Sequence, residues 1–368
     1  MPADTAVPRT DAPLPPAPAG RAAERSRAAG LARWESLILA LIVVTAFGGQ
    51  GLSDKFLTAD SFTTASLDLT EVALMALPLA LVIIAAEIDL SIASILALSS
   101  AVMAALWDGG QPVEVIIPVC LAVGALCGAF NGLLVTRLGL PSLAVTIGTL
   151  ALFRGLAYVV IGDKSVTSFP ATWTDRAFGT VAGTAIPNTM VLFAVLAAAF
   201  GVLLHATGFG RSVYAIGANE EAARFSGIRV KRIKLWLFVL SGTVAALAGV
   251  VISLRNSTAA ANVGTGFELV AVTAVVLGGV SIFGGRGTIA GVVLALVLVG
   301  GIQKALSLSE SISTYWIQIV MGTLLIGSVL GPNLVQRARA ARAHASRRRG
   351  PWPSRRAASP TRPPEETA

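Results

Sequence analysis

Two carboxylates, Glu87 and Asp89, stand two residues apart in the stretch AAEIDLSIAS, with apolar runs on both sides. An ionisable side chain inside a membrane costs about 2.5–3.5 kcal/mol on insertion scales, so each is by default a functional candidate. Asp89 also has a local use, as an N-cap for the helix that follows. Glu87 has none, and is expected to face a polar route. Arg154 lies deep in a later apolar run, where it could join a structural ion pair or donate to a solute hydroxyl. Asn131, in FNGLL, is placed to hydrogen-bond between helices. Glu268 begins another apolar run and could serve the helix dipole or a gate. Pro78 implies a kink, and kinked spans often line pathways.

Other chemistries lack their residues. The chain has no nucleophile, base and orienter set, and no Gly-x-x-x-x-Gly-Lys-Ser/Thr loop to surround phosphates, since GDKS at Gly162 lacks the Gly-Lys pair. A non-catalytic protein is expected, with any ATP hydrolysis done by a separate chain. Cys120 and Cys127 sit seven residues apart in one apolar run, about 10 Å along a helix and too far for a disulfide; they read as packing residues. His205 and His344 have no ligand-spaced neighbours, so neither a metal nor a cofactor is expected.

The elements that must carry these residues follow from composition. Of 368 residues, 54% are hydrophobic and 13% charged, against about 25% charged in soluble domains. The fold class expected is an all-α polytopic membrane protein. A span needs about 20 apolar residues, and ten stretches qualify: Trp34–Phe47, Leu67–Ala86, Leu90–Trp107, Val113–Val135, Leu140–Ile161, Thr189–His205, Leu235–Leu254, Phe267–Phe283, Thr288–Leu306 and Ile312–Leu330. The net charge of +8 is concentrated in clusters that alternate with apolar runs, which argues for membrane orientation and against nucleic-acid binding. Arg9, Arg21, Arg25, Arg27 and Arg33 precede the first span, nine arginines follow the tenth, and Arg211, Arg224, Arg229, Lys231, Arg232 and Lys234 lie between the sixth and seventh. These place both termini in the cytoplasm. The opposite connections carry Asp54, Asp60, Asp108, Asp163, Asp175 and Glu310 against Lys55, Lys164 and Arg176. The expected domains are a disordered tail over 1–33, a membrane domain over 34–331 with a cytoplasmic loop at 208–234, and a basic disordered tail over 332–368.

The long outer connection Gly162–Asn188 holds Phe169, Trp173 and Phe178 near prolines, which favours an ordered contact surface. The basic loop specifies a helix: Asn219 is a good N-cap, Glu220 and Glu221 fill the first turn, Arg224 comes late and Gly227 falls where a left-handed C-cap residue belongs. A helix over Glu220–Ser226 is too short to stand alone in water. Either it is an ordinary helical loop or it leans on a partner through a side made of Ala222, Ala223, Phe225 and Ile228.

GFGRSVYAIGANEEAARFSGIRVKRIK resembles the cytoplasmic loop of ABC-importer permeases of the ribose and branched-chain type. EIDLS resembles that family's Gly-Gly-Ile-Asp-Leu-Ser turn, with Glu87 where Gly is commoner, while GLPSLAVTIGTLALFRG resembles its fifth span and FELVAVTAVVLGGVSIFGGRGTIAG its eighth-to-ninth segment. The glutamate, LGLPS and FRG are most similar to L-rhamnose importers. The resemblance implies a type II-like permease subunit of a binding-protein-dependent importer for rhamnose or a related monosaccharide. Its implied partners are an ABC ATPase, a periplasmic sugar-binding protein, a second permease in a homo- or heterodimer, and membrane lipid. It also makes Asn219, Glu220, Glu221, Ala222, Ala223, Arg224, Phe225, Ser226 and Gly227 a coupling helix for the ATPase. An ion-coupled secondary transporter using Glu87 and Asp89 is the alternative.

Overall fold

The computed structural model describes residues 20–309, 316–317, 319–328 and 330, with side chains from Trp34 onward. The tail expected over 332–368, residues 1–19 and Glu310 lie outside the described residues. In chain order the chain forms α1 (Gly20–Leu52), α2 (Ala59–Ile84), α3 (Ile92–Asp108), α4 (Val113–Leu138), α5 (Ser142–Ile161), β1 (Ser165–Thr167), α6 (Ala171–Phe178), α7 (Asn188–Ala206), α8 (Gly208–Ala218), α9 (Glu220–Phe225), α10 (Val230–Arg255), β2 (Thr258–Ala260), α11 (Phe267–Leu277) and α12 (Ile289–Ser307).

Among the described residues, seven helices are long and apolar enough to cross a membrane, and three shorter apolar helices accompany them, at Ile92–Asp108, Phe267–Leu277 and Ile319–Ser328. Each of the ten expected spans overlaps one of these helices. The chain divides into two compact units, one to Leu325 and one from Ile326. Of the second, only 326–328 and 330 are described, and these are helical.

Within the first unit α2 and α10 are buried on nearly all sides, whereas α1, α4, α5 and α7 keep apolar faces exposed, including Val44, Phe47, Leu126, Val159 and Val195. Apolar all-round helices are stable only when surrounded by protein or lipid. The closest packing, of α4 on α10, is made possible by glycine: a Cβ on Gly128 would strike the Phe238 carbonyl, and one on Gly242 would strike the Gly124 carbonyl. Small residues let membrane helices approach through their backbones, where dispersion replaces the missing hydrophobic drive. Cys120 and Cys127 are free, buried packing residues.

Two boundaries and one contact surface differ from those expected. α1 begins at Gly20, inside the stretch expected as a tail. The eighth span was expected to reach Phe283, but α11 ends at Leu277, because Gly278 lies against the Val292 backbone and Gly279 takes φ +85°. At about 16 Å α11 cannot cross a bilayer alone. The irregular backbone on either side is tolerated because protein, not lipid, surrounds it. In the long 162–188 connection, β1 pairs antiparallel with β2, Phe169 is buried against Trp107, and the Trp173 indole donates to Glu114. Phe169 and Trp173 therefore serve the chain's own packing, while Phe178 is exposed.

Candidate functional site

The basic loop between α7 and α10 folds into two helices. α8 is capped by Thr207, whose hydroxyl accepts from the Gly210 amide, and it is pressed onto the end of α2: a Cβ on Gly217 would overlap the Ile84 carbonyl, which already accepts from the Gly285 amide at 2.8 Å. The Tyr214 hydroxyl donates to the Gly287 carbonyl at 2.6 Å, and burial pushes its pKa up to about 12. The end of α2, helix α8 and the 284–287 turn thus form one layer.

α9 follows directly. Asn219 Oδ1 accepts from the Ala222 amide at 2.9 Å, Ser226 closes the helix, and Gly227 takes φ +82°. The cap specified by the sequence is therefore present in the fold. The contact side is a correction: Ala223 is 4% exposed and packs into the chain's own core, whereas Phe225 is 89% exposed. The physical reason is that a one-and-a-half-turn helix can bury a single narrow stripe, and the small residue takes it. The outward face comprises Glu221, Ala222, Arg224 and Phe225.

Lys234, in the first turns of α10, joins this helix to the first carboxylate. Its ammonium lies 2.5 Å from Glu87 Oε1 and 2.6 Å from Glu220 Oε2, and Glu220 Oε1 also accepts from Arg224 at 3.0 Å. The hydrogen bond from Lys234 holds the Glu220 carboxyl below its ordinary pKa, with Arg224 adding to the effect. Beside this node Arg137, Arg224, Lys231, Lys234 and Glu220 line a cavity of about 300 Å³.

Asp89 is fully buried. Its Oδ1 accepts from the Ser91 amide and hydroxyl at 3.0 and 2.6 Å, and its Oδ2 accepts from Ser241 at 2.7 Å. Ser91 in turn accepts from Asn131 Nδ2 at 2.8 Å, while Asn131 Oδ1 has no partner among the described residues. Asp89 thus turns the chain just before α3, whose N-cap position is Ser91, and the cluster joins that turn to α4 and α10. Ile88 is clamped from α5, its amide donating to Ser142 and its carbonyl accepting from Thr146.

Arg154 donates to the carbonyls of Ala261, Val263 and Ala93 at 2.9, 2.8 and 3.2 Å. It supports the irregular 261–266 segment against α3. Glu268 sits in the first turn of α11, half-buried, and its charge acts on Arg154. The structure therefore gathers Glu87 with Glu220, and Asp89 with Asn131, and leaves Arg154 and Glu268 as a separate group.

Sequence reasoning missed three residues. Lys234 reads in the sequence only as one cation of the basic cluster between the sixth and seventh spans, and Arg255 is not singled out at all. Glu71, with no exposed surface, accepts from Arg255 Nε at 2.9 Å, and Arg255 also reaches Asp68 at 3.4 Å. The available signal was the same as for Glu87: an acid within an apolar run has to be satisfied somewhere.

The chain matches the family described as "Branched-chain amino acid transport system / permease component" over residues 62–329. It is 36% identical over 311 residues to the autoinducer 2 import system permease protein LsrD of Yersinia enterocolitica, covering 82% of this chain and 92% of that protein. The protein of the same name from Yersinia pseudotuberculosis strain YPIII is 34% identical, and that of Yersinia pestis strain Pestoides F 33% identical, each over 82% of this chain and 91% of the relative. No solved structure matches significantly.

Proposed function

This chain belongs to the ABC-importer permease family, whose members are non-catalytic membrane subunits, and from that premise we propose that it forms the membrane path of an ATP-driven, binding-protein-dependent importer of a sugar or sugar-like solute. The observation that carries the reading is α9: a capped helix too short to persist alone that turns Phe225 outward with 89% of its surface exposed. A phenylalanine so presented next to Arg224 and Glu221 suits a protein groove better than water. Residues 219–227 are assigned to docking on a separate ABC ATPase. The three basic clusters support a reading in which this end, and both termini, face the cytoplasm at a cell inner membrane. A periplasmic binding protein meets the opposite end, and a second permease covers part of the exposed apolar faces.

In this reading Glu87, Asp89, Asn131 and Arg154 hold the ends of broken helices and do not contact solute, since their polar atoms are largely taken within the chain. Glu268 keeps the place of a pathway residue. An ion-coupled secondary transporter would need free midplane carboxylates, and Glu87 and Asp89 are both engaged, so this alternative is not favoured.

Two solutes are proposed. Rhamnose or a related monosaccharide follows from the EIDLS, LGLPS and FRG resemblance, and autoinducer 2 from the names of the relatives. Uptake of each labelled solute into vesicles containing the permease, ATPase and binding protein, with the other as competitor, decides between them. Transport of neither would refute both assignments.

A further inference from the structure

Resting on the docking role proposed for α9, we infer that Lys234 is the positioning residue that transmits α9's position to the polar turn before α3. One ammonium is shared by two carboxylates from different parts of the chain, Glu220 at the start of α9 and Glu87 in the turn between α2 and α3, at 2.6 and 2.5 Å. α9 has little else to hold it: its single buried side chain is Ala223, and the Ile228 amide returns to the Ala223 carbonyl at 3.1 Å. A displacement of so short a helix must therefore be felt at Lys234.

The other carboxylate stands where movement would matter. Glu87 is two residues from Asp89, which holds Ser91 and Ser241 and so fixes the turn to α3 and α10. Next to Glu87, Ala86 adopts φ +61°, a left-handed conformation that a residue with a Cβ keeps only when its surroundings impose it. Part of that imposition is visible. Gly284 lies directly against Ala86, and Gly217 of α8 lies against the Ile84 carbonyl. The Glu87–Lys234 pair is a further side-chain tether on the turn, beside the Asp89–Ser241 hydrogen bond. A strained turn held by a charge pair to the short docking helix has the parts of a two-state device.

The test uses the complete transporter in proteoliposomes and reads ATP hydrolysed per solute imported. The informative variant is the double substitution Glu87→Gln with Lys234→Met, which leaves no buried charge unpaired on the α2 side and so keeps the fold. Glu87→Gln alone cuts the half of the link that lies outside α9. We expect the ATPase to co-purify normally with both, thermal unfolding to stay near wild type, and the ATP-to-solute ratio of the double variant to rise about tenfold, within the roughly 5–150-fold range of allosteric coupling. The single variant should fall between. An unchanged ratio in the double variant would overturn the inference, and so would loss of ATPase association, because the node would then only hold α9 in shape. If the wild-type chain itself failed to bind an ATPase, the proposed function would fail instead.

Discussion

Lys234 Nζ stands 2.5 Å from Glu87 Oε1, with the two side chains only 11% and 9% exposed. Removing one partner of a buried pair leaves the other as an uncompensated charge, at a cost of about 3–5 kcal/mol. Lys234→Met alone should therefore lower thermal stability sharply. Adding Glu87→Gln to it should recover most of the loss. Differential scanning in nanodiscs reads both, and a double variant no more stable than Lys234→Met would contradict the pairing.

On α9 the inward and outward faces should respond differently. Ala223→Arg forces a long cation into the chain's own core, and should reduce stability and assembly together. Phe225→Ala removes an exposed side chain, so the isolated permease should be unaffected while ATPase co-purification drops. Wild-type association for Phe225→Ala would remove α9 from the interface.

The topology is tested by cysteines at two exposed serines. Ser168→Cys should react with an impermeant thiol reagent on intact spheroplasts, and Ser226→Cys only after the membrane is opened. Labelling of Ser226→Cys from outside would invert the assignment.

The Glu220 link has a defined acid limit. Its carboxyl is held below the ordinary value of 4.5, chiefly by the hydrogen bond from Lys234. A depressed carboxylate pKa stabilises fully above the unfolded value and loses its effect as pH falls through the folded one. Protection of the α9 amides against hydrogen exchange, corrected for intrinsic rates, should thus hold from pH 7 to about 4.5 and decay only below. Loss of protection between pH 7 and 5 would show that Glu220 does not anchor α9.

The span pattern was legible because a membrane crossing is written locally, in about twenty consecutive apolar residues. The α9 caps were legible for the same reason, being set by residues within one turn of each end. What depended on distant neighbours was not. Whether Ala223 or Phe225 faces the chain depends on how α8 seats α9, and α8 itself was hidden in a loop rich in glycine. Glu87 was visible as an acid needing satisfaction, but its cation lies far along the chain and reads locally as one member of a basic orientation cluster. Glu71 passed unnoticed inside an apolar run whose hydropathy it scarcely changes. The early end of α11 is set by the Val292 backbone against Gly278, a contact that no local pattern records.

The central claim is tested most directly by solute uptake into sealed vesicles containing this chain, its ATPase and its binding protein. Internal or external ATP, ion gradients and each protein component are supplied or withheld in turn. Uptake should require ATP on the α9 side and all three components, and should be indifferent to proton and sodium gradients. Uptake by this chain alone, driven by an ion gradient without ATP, would contradict the account.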